Sequence, residues 1–450
     1  MQLPRAEPVP PNSRIAALDV IRGIALFGIL VVNMAFFATP LAAAVVDPTI
    51  FEAPRGERVM WWIEKIFFDG KFISTFSLLF GAGLALQMMR LDDARAAARR
   101  DGQPARSTEL VIVRRLAILA VLGTVHATLL WYGDILFFYA VLAWPLLSAR
   151  HLAPKAMATI GVVLLALSLC CTIGLAPGPH APLPLNAALE SQRGEQTNVD
   201  VEAILLSRLE ATHGDTTHPS VAEVETLIYR DGPTAAALTL RVVQWTSGLP
   251  LLLLLFGPHI LAMYMLGMAA AKARLFSRAA VRAQRLAAFI GVPFGVGLCA
   301  VATTLQWQSG LAPETTMYLV GTAFGDVGAA TLAIGYAGVI ARLTYVGVFG
   351  GLAYPVACAG RMALTVYLSE TVIVTGVMYW WGLGQFGRFS RVEHFIVAMA
   401  TWSALVVVST LWMSRFRMGP LEWLWRIGTY LTLPSLLKQP RNAASAPEPL

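Results

Sequence analysis

Apolar runs long enough to cross a lipid bilayer recur along this chain and leave it few folds to choose from. A hydrocarbon layer needs about 20 consecutive apolar residues per helical crossing, and inside it every backbone N–H and C=O must be satisfied within the segment. The first such run, from about Val20 to Phe37, exceeds the ~7–15 residues of a signal-peptide core. It therefore reads as a retained helix, although PLAAA at 40–44 faintly resembles a processing site. Hydrophobic residues make up 56% of the 450 and charged residues 14%, which excludes a soluble domain with a large core. The net charge of +7 then reflects arginine and lysine kept in cytoplasmic loops, with no nucleic-acid partner implied. Cys170, Cys171, Cys299 and Cys358 lie in apolar stretches without ligand spacing, which reads as packing and points away from a disulfide framework or a metal site.

Charge orders the crossings. Residues 90–115 hold Arg90, Arg95, Arg99, Arg100, Arg106, Arg114 and Arg115, an excess that marks the cytoplasmic side. The expectation is an all-α polytopic membrane protein of about ten transmembrane helices with both termini cytoplasmic. They fall near 20–37, 60–88, 112–131, 135–148, 156–176, 248–271, 286–305, 315–341, 361–381 and 394–414. Residues 14–435 form one transmembrane domain between disordered ends at 1–13 and 436–450. The acidic stretch 178–235 reads as an extracytoplasmic insertion, with VAEVETLIYRDG as an amphipathic helix. Residues 345–359 are short and Gly/Pro-broken, hence interfacial or re-entrant. Residues 415–430 read as a cytoplasmic interfacial helix anchored by Trp423 and Trp425, with Glu422 and Arg426 four apart.

Within this frame a few polar groups are expensive. His126 sits inside an otherwise membrane-grade segment, and Asp134 follows eight residues later across a Trp-Tyr-Gly turn at the lip of a helical hairpin. Ionisable groups in a bilayer default to a functional site facing a bundle interior or a wet cavity. A hydrogen-bonded structural histidine and an ordinary turn aspartate are the bland counterparts. Arg14, Asp19 and Arg22 cluster at the entry of the first helix as a snorkelling collar or a binding group, and Asn33 lies eleven residues beyond Arg22. Lys71 interrupts the second span, His259 follows Gly257-Pro258 in the sixth, and Asp326 sits in GTAFGDVGAA of the eighth. Each reads as lining a cavity or as paired locally, and the glycines beside Asp326 as helix packing.

Nothing resembles a P-loop, a dinucleotide fingerprint, a metalloprotease helix or a serine nucleophile elbow. Five blocks in order do resemble a known family: LDVIRGIALFGILVVN, KFISTFSLLFGAG, RRLAILAVLGTVHATLLWYGDILFFYA, GRMALTVYLSE and GPLEWLWR. Together they are similar to the YeiB family of bacterial inner-membrane proteins, catalogued as domain of unknown function 418, over about residues 14–435. The sequence has Glu370 where that family's YL-x-Q pattern places glutamine. The first helix is also similar to those of membrane acyltransferases that modify cell-surface glycans. In the bacterial O-acyltransferases an arginine is followed eleven residues later by the active-site histidine; Arg22 matches the arginine, and Asn33 occupies the histidine position.

The resemblance implies a ten-helix fold that takes an acyl group from cytoplasmic acyl-CoA, acetyl-CoA among the candidates, to a small-molecule or glycan acceptor on the opposite side. His126 would be the base, Asp134 its orienting carboxylate, and Asn33 or Lys71 the oxyanion donor. Arg22, Arg114 and Arg115 would hold the CoA phosphates. The lipid bilayer and a second copy in a homodimer complete the expected partners, and no metal is implied. Two other classes stay open. His259, Asp326 and the broken sixth helix would suit a proton-coupled transporter, and a non-catalytic assembly protein would tolerate loss of His126.

Overall fold

A computed structural model describes residues 16–102, 107–174, 201–212 and 218–438. The expected disordered ends, and much of the 178–235 insertion, lie outside the described residues. What is described is helical, and the one β-type pairing among these residues is an isolated bridge between Phe416 and Leu437.

Among the described residues eight helices are long and apolar enough to cross a membrane, and a ninth crossing is made if a bent pair counts as one span. The helices that position the site are α1 (Ala16–Ala38), α2 (Lys71–Arg100), α3 (Thr108–Leu129), α4 (Leu136–Leu142), α5 (Pro154–Gly174), α6 (Val201–Ala211), α7 (Pro219–Asp231), α8 (Thr234–Leu255), α9 (Gly257–Lys272), α10 (Val292–Gln308), α11 (Thr316–Tyr345), α12 (Ala353–Arg361), α13 (Ala363–Met378), α14 (Arg391–Arg415) and α15 (Pro420–Tyr430). Phe289, Val121 and Leu411 are 78%, 62% and 66% exposed, as lipid-facing side chains are.

Three expected spans differ in form. The fourth, placed at 135–148, is only the seven-residue α4 followed by a turn and Leu146–Ala149. Pro145, at the head of that second piece, has no N–H to continue the ladder. The sixth is two helices with Phe256 between them, because Pro258 fits the first turn of α9 and not the interior of a helix arriving from α8. The ninth is preceded by a further helix: α12 and α13 meet at Met362 with an 83° bend, the form of a broken span or of the re-entrant segment expected at 345–359.

Small residues allow the helices to meet closely. A methyl group on Gly360 of α12 would fall 1.9 Å from the Asp19 carbonyl oxygen on α1, so this crossing requires glycine. One apolar core joins α2, α9 and α11 through Leu78, Ala82, Tyr264 and Ala333. A second core, at the Trp131 end of the bundle, joins the end of α1 to α6, α7 and α8 through Phe37, Leu205, Ile228 and Leu240. The site lies against a third core, which holds Leu26, Leu119, Leu136 and Tyr367.

Candidate functional site

His126 is in the last turn of α3, and Asp134 lies in the turn leading to α4. The two meet because of Gly123, one helical turn before His126. A methyl group there would lie 2.2 Å from the Phe137 nitrogen and 2.7 Å from Asp134 Oδ2, so only a bare glycine admits the returning turn. The approach brings His126 Nδ1 to 2.8 Å from Asp134 Oδ1, with both side chains essentially inaccessible. Asp134 Oδ2 also accepts from the Phe137 main-chain N–H at 2.7 Å, which fixes the carboxylate. With Nδ1–H donating to Asp134, Nε2 is left as the acceptor, and the Thr371 hydroxyl of α13 stands 3.0 Å from it. The result is a buried hydroxyl–imidazole–carboxylate relay, the arrangement that lets a histidine take a proton and hold the charge it gains. Tyr367, one turn before Thr371, packs against His126 with the two rings tilted and their centres 5.3 Å apart, and Trp131 stands edge-on at 6.3 Å.

Tyr367 also lines a cavity of about 280 Å³. Leu26, Ile29, Phe76, Leu79 and Leu119 wall it, and four arginines, Arg22, Arg115, Arg361 and Arg426, gather around it with Glu422. Arg22 pairs with Asp19 at 3.1 Å, while Arg115 lies flat on Trp425 at 3.6 Å. Arg115, Arg361 and Arg426 form no salt bridge among the described residues. Glu422 is spent on the backbone: it accepts from the Leu364 N–H at 2.7 Å, the Thr365 N–H at 3.1 Å and the Thr365 hydroxyl at 2.6 Å. It thus caps the start of α13, and the pairing expected with Arg426 is not made at ion-pair distance. Burial pushes the Glu422 carboxyl above its usual value, against the pull of these hydrogen bonds. The arginine cluster carries a surplus of positive charge facing an apolar slot, which suits an anionic head on an uncharged arm. Arg115 and His126 are eleven residues apart on one helix, about 16 Å of rise.

The remaining expected site residues fall in two places. Arg22 and Arg115 line the cavity, whereas Arg114 does not. Asn33 shares the stripe of α1 that bears Arg22, Leu26 and Ile29, half-buried and without a side-chain hydrogen bond. Lys71, His259 and Asp326 are away from the cavity, on the far side of α2. There His259 Nδ1 is 2.7 Å from Asp326 Oδ1, though its N–H is not aimed along that line. His259 Nε2 is 2.7 Å from the Ser74 hydroxyl, and Ser168 donates to Asp326 Oδ2 at 2.8 Å. Lys71 donates to the Lys65 carbonyl at 2.5 Å, beside a Lys65–Asp69 pair at 2.7 Å.

The Trp131 end of the relay is roofed. Trp131 and Tyr132 both donate to the Phe36 carbonyl at 3.3 Å, and Phe37 stacks on Trp131 at 4.0 Å. Arg241 of α8 donates to the Leu129 carbonyl at 2.6 Å, closing the end of the helix that carries His126. Glu225 of α7 accepts from the Leu41 main-chain N–H at 3.1 Å and from Gln244 at 2.9 Å, and burial pushes its carboxyl up to about 7.

Sequence reasoning singled out neither Thr371 nor Tyr367. Tyr367 sits in the GRMALTVYLSE block and Thr371 directly follows it, but a threonine or a tyrosine in an apolar helix costs too little to stand out. A family model described as Protein of unknown function (DUF418) matches residues 270–432, which includes both. The uncharacterized protein YeiB of Escherichia coli (strain K12) is 31% identical over 425 residues, covering 92% of this chain and 95% of that protein. The uncharacterized protein YxaH of Bacillus subtilis (strain 168) is 28% identical over 445 residues, covering 96% of this chain and 98% of its own length.

Proposed function

This chain belongs to the YeiB family, and for it we propose acyl transfer from an acyl-CoA, bound through the arginine cluster, to the hydroxyl or amine of an acceptor activated by His126. The observation that carries the reading is the adjacency of two features. The Thr371–His126–Asp134 relay touches Tyr367, and Tyr367 lines the cavity around which Arg22, Arg115, Arg361 and Arg426 gather. In this scheme the CoA phosphates meet the arginines and the pantetheine arm lies along the apolar walls. The thioester reaches the histidine end, and the ~16 Å between Arg115 and His126 suits an extended arm. His126 Nε2 takes the acceptor proton, with the Thr371 hydroxyl marking where that acceptor group stands, and Asp134 stabilises the imidazolium. The positive-inside pattern puts the arginine end at the cytoplasm of a bacterial inner (cytoplasmic) membrane, with both termini inside and the acceptor outside.

Binding of acetyl-CoA and free CoA to the purified protein tests this. Wild type binds both. Arg115→Ala weakens binding by about tenfold or more, as loss of a charge-assisted contact does. Arg114→Ala and His126→Ala bind as wild type. Absence of any CoA binding at millimolar concentration overturns the reading. The Ser74–His259–Asp326 cluster, buried across several helices, supports proton-coupled transport as the second reading. Accumulation of a solute driven by a pH gradient, with no covalent product, decides for that instead.

A further inference from the structure

Polar groups buried in a protein interior are nearly always hydrogen-bonded, and an orphan among them marks a place where something else binds. Two orphans adjoin the His126 relay, both on α13. Among the described residues the Tyr367 hydroxyl and Glu370 Oε1 have no hydrogen-bond partner and are buried, in residues 4% and 2% exposed. Tyr367 is the more telling, because it lines the arginine-bearing cavity at its histidine end. Its hydroxyl lies near the Ile135 main-chain N–H without the geometry of a hydrogen bond to it. Lys71, one of the two groups expected to stabilise an oxyanion, is engaged elsewhere with the Lys65 carbonyl. The other, Asn33, is absent from the cavity lining.

We infer that Tyr367 is a catalytic residue whose hydroxyl donates to the carbonyl oxygen of the bound thioester. The inference rests on the acyl-transfer reading and deepens it. In the step, the acceptor oxygen or nitrogen attacks the thioester carbon while its proton passes to His126 Nε2. The carbonyl π electrons move onto oxygen, and the resulting oxyanion is held by the Tyr367 O–H. Collapse re-forms the carbonyl and breaks the C–S bond. The departing CoA sulfur takes the proton from His126, leaving an acylated acceptor and CoA thiol with nothing else consumed. The partner of the Tyr367 hydroxyl arrives with the substrate.

The test uses the full-length protein in detergent with acetyl-CoA and the thioether S-ethyl-CoA, which has the same arm and no carbonyl oxygen. Wild type is expected to bind acetyl-CoA about fivefold more tightly than S-ethyl-CoA, the worth of one neutral hydrogen bond. Tyr367→Phe is expected to bind both alike, at the wild-type affinity for S-ethyl-CoA, while His126→Ala keeps the wild-type preference. Ligand-free Tyr367→Phe should unfold at a temperature equal to or above that of wild type, since the change removes an unpaired hydroxyl and keeps the ring. A preference that survives Tyr367→Phe overturns the inference and leaves acyl transfer standing. A lower unfolding temperature with both ligands weakened makes the hydroxyl a structural group and overturns it too. If wild type binds neither compound, the acyl-CoA reading itself falls and takes this inference with it.

Discussion

Thr371–His126–Asp134 and Ser74–His259–Asp326 follow one plan. In each, a histidine held within a bundle of apolar helices has Nδ1 near an aspartate oxygen, at 2.8 and 2.7 Å, and Nε2 near a hydroxyl, at 3.0 and 2.7 Å, but the Nδ1 contact has hydrogen-bond geometry in the first alone. What separates them is their surroundings. The first stands beside an orphan tyrosine hydroxyl and a cavity ringed by arginine. Neither relay has a member on that cavity, but the first is separated from it by Tyr367 alone. The second is not next to a cavity-lining tyrosine of this kind and has its outer groups taken up by Ser168 and by the Gly70 carbonyl, to which Ser74 donates at 2.6 Å. Three groups in relay geometry are therefore not enough to define a site. A place for the reacting atom is also required, and the first relay packs against a residue, Tyr367, that lines one.

The comparison is sharpest in turnover. His126→Ala should lower thiol release from acetyl-CoA, given a small alcohol or amine as acceptor, by about 10³-fold, within the range of a lost general base. His259→Ala should leave the rate per folded molecule within about twofold. The opposite ranking would make the second relay the active one. Thermal unfolding in detergent gives the next largest effect. His259→Ala leaves Asp326 as a buried charge with only Ser168, which should cost about 3 kcal/mol. Replacing both His259 and Asp326 by leucine should recover most of that loss if the pair serves packing alone. Should the double variant lose function while folding well, the pair is more than packing.

The smallest effect concerns the roof over the first relay. Glu225 titrates near 4.5 when exposed and is pushed up to about 7 in the folded protein. Between those values the folded state keeps a proton that the unfolded state has released, so stability falls as pH rises through that window, by about 1 kcal/mol per pH unit. Below pH 4.5 the group is protonated in both states and the slope vanishes. Glu225→Gln should flatten the dependence, as unfolding temperature against pH would reveal. An unchanged slope would assign it to another group.

His126 and Asp134 were legible in the sequence because charge in an apolar segment is costly enough to need a reason, and the structure places them in contact. Gly123 was equally visible as a letter, but its role depends on which backbone crosses it. Thr371 and Tyr367 were not legible. They lie 245 and 241 positions from His126, and the bend at Met362 that delivers their helix is signalled by no proline or glycine at the bend itself. The arginines were visible as topology markers. Only the fold distinguishes Arg115, on the cavity, from Arg114 beside it. Helix lengths were legible where apolar runs were uninterrupted and misjudged at Pro145, where one missing N–H divides a continuous run; the break expected at Pro258 is present, although the helix before it starts at Thr234 and not near 248.

The cap that Glu422 places on α13 has a consequence for biosynthesis. Arg22 is made about 400 residues before Glu422, and at ribosomal speeds of about 5–20 residues per second that is a delay of roughly 20–80 seconds. Only the last ~60 residues of that interval include the start of α13, whose N–H groups then wait for Glu422, while Arg22 already has Asp19 as its partner. The last helix is then a closing piece, inserted after the walls are in place. A chain halted before Glu422 would carry the relay's histidine and aspartate, and even its threonine, without the carboxylate that fixes the helix bearing Thr371.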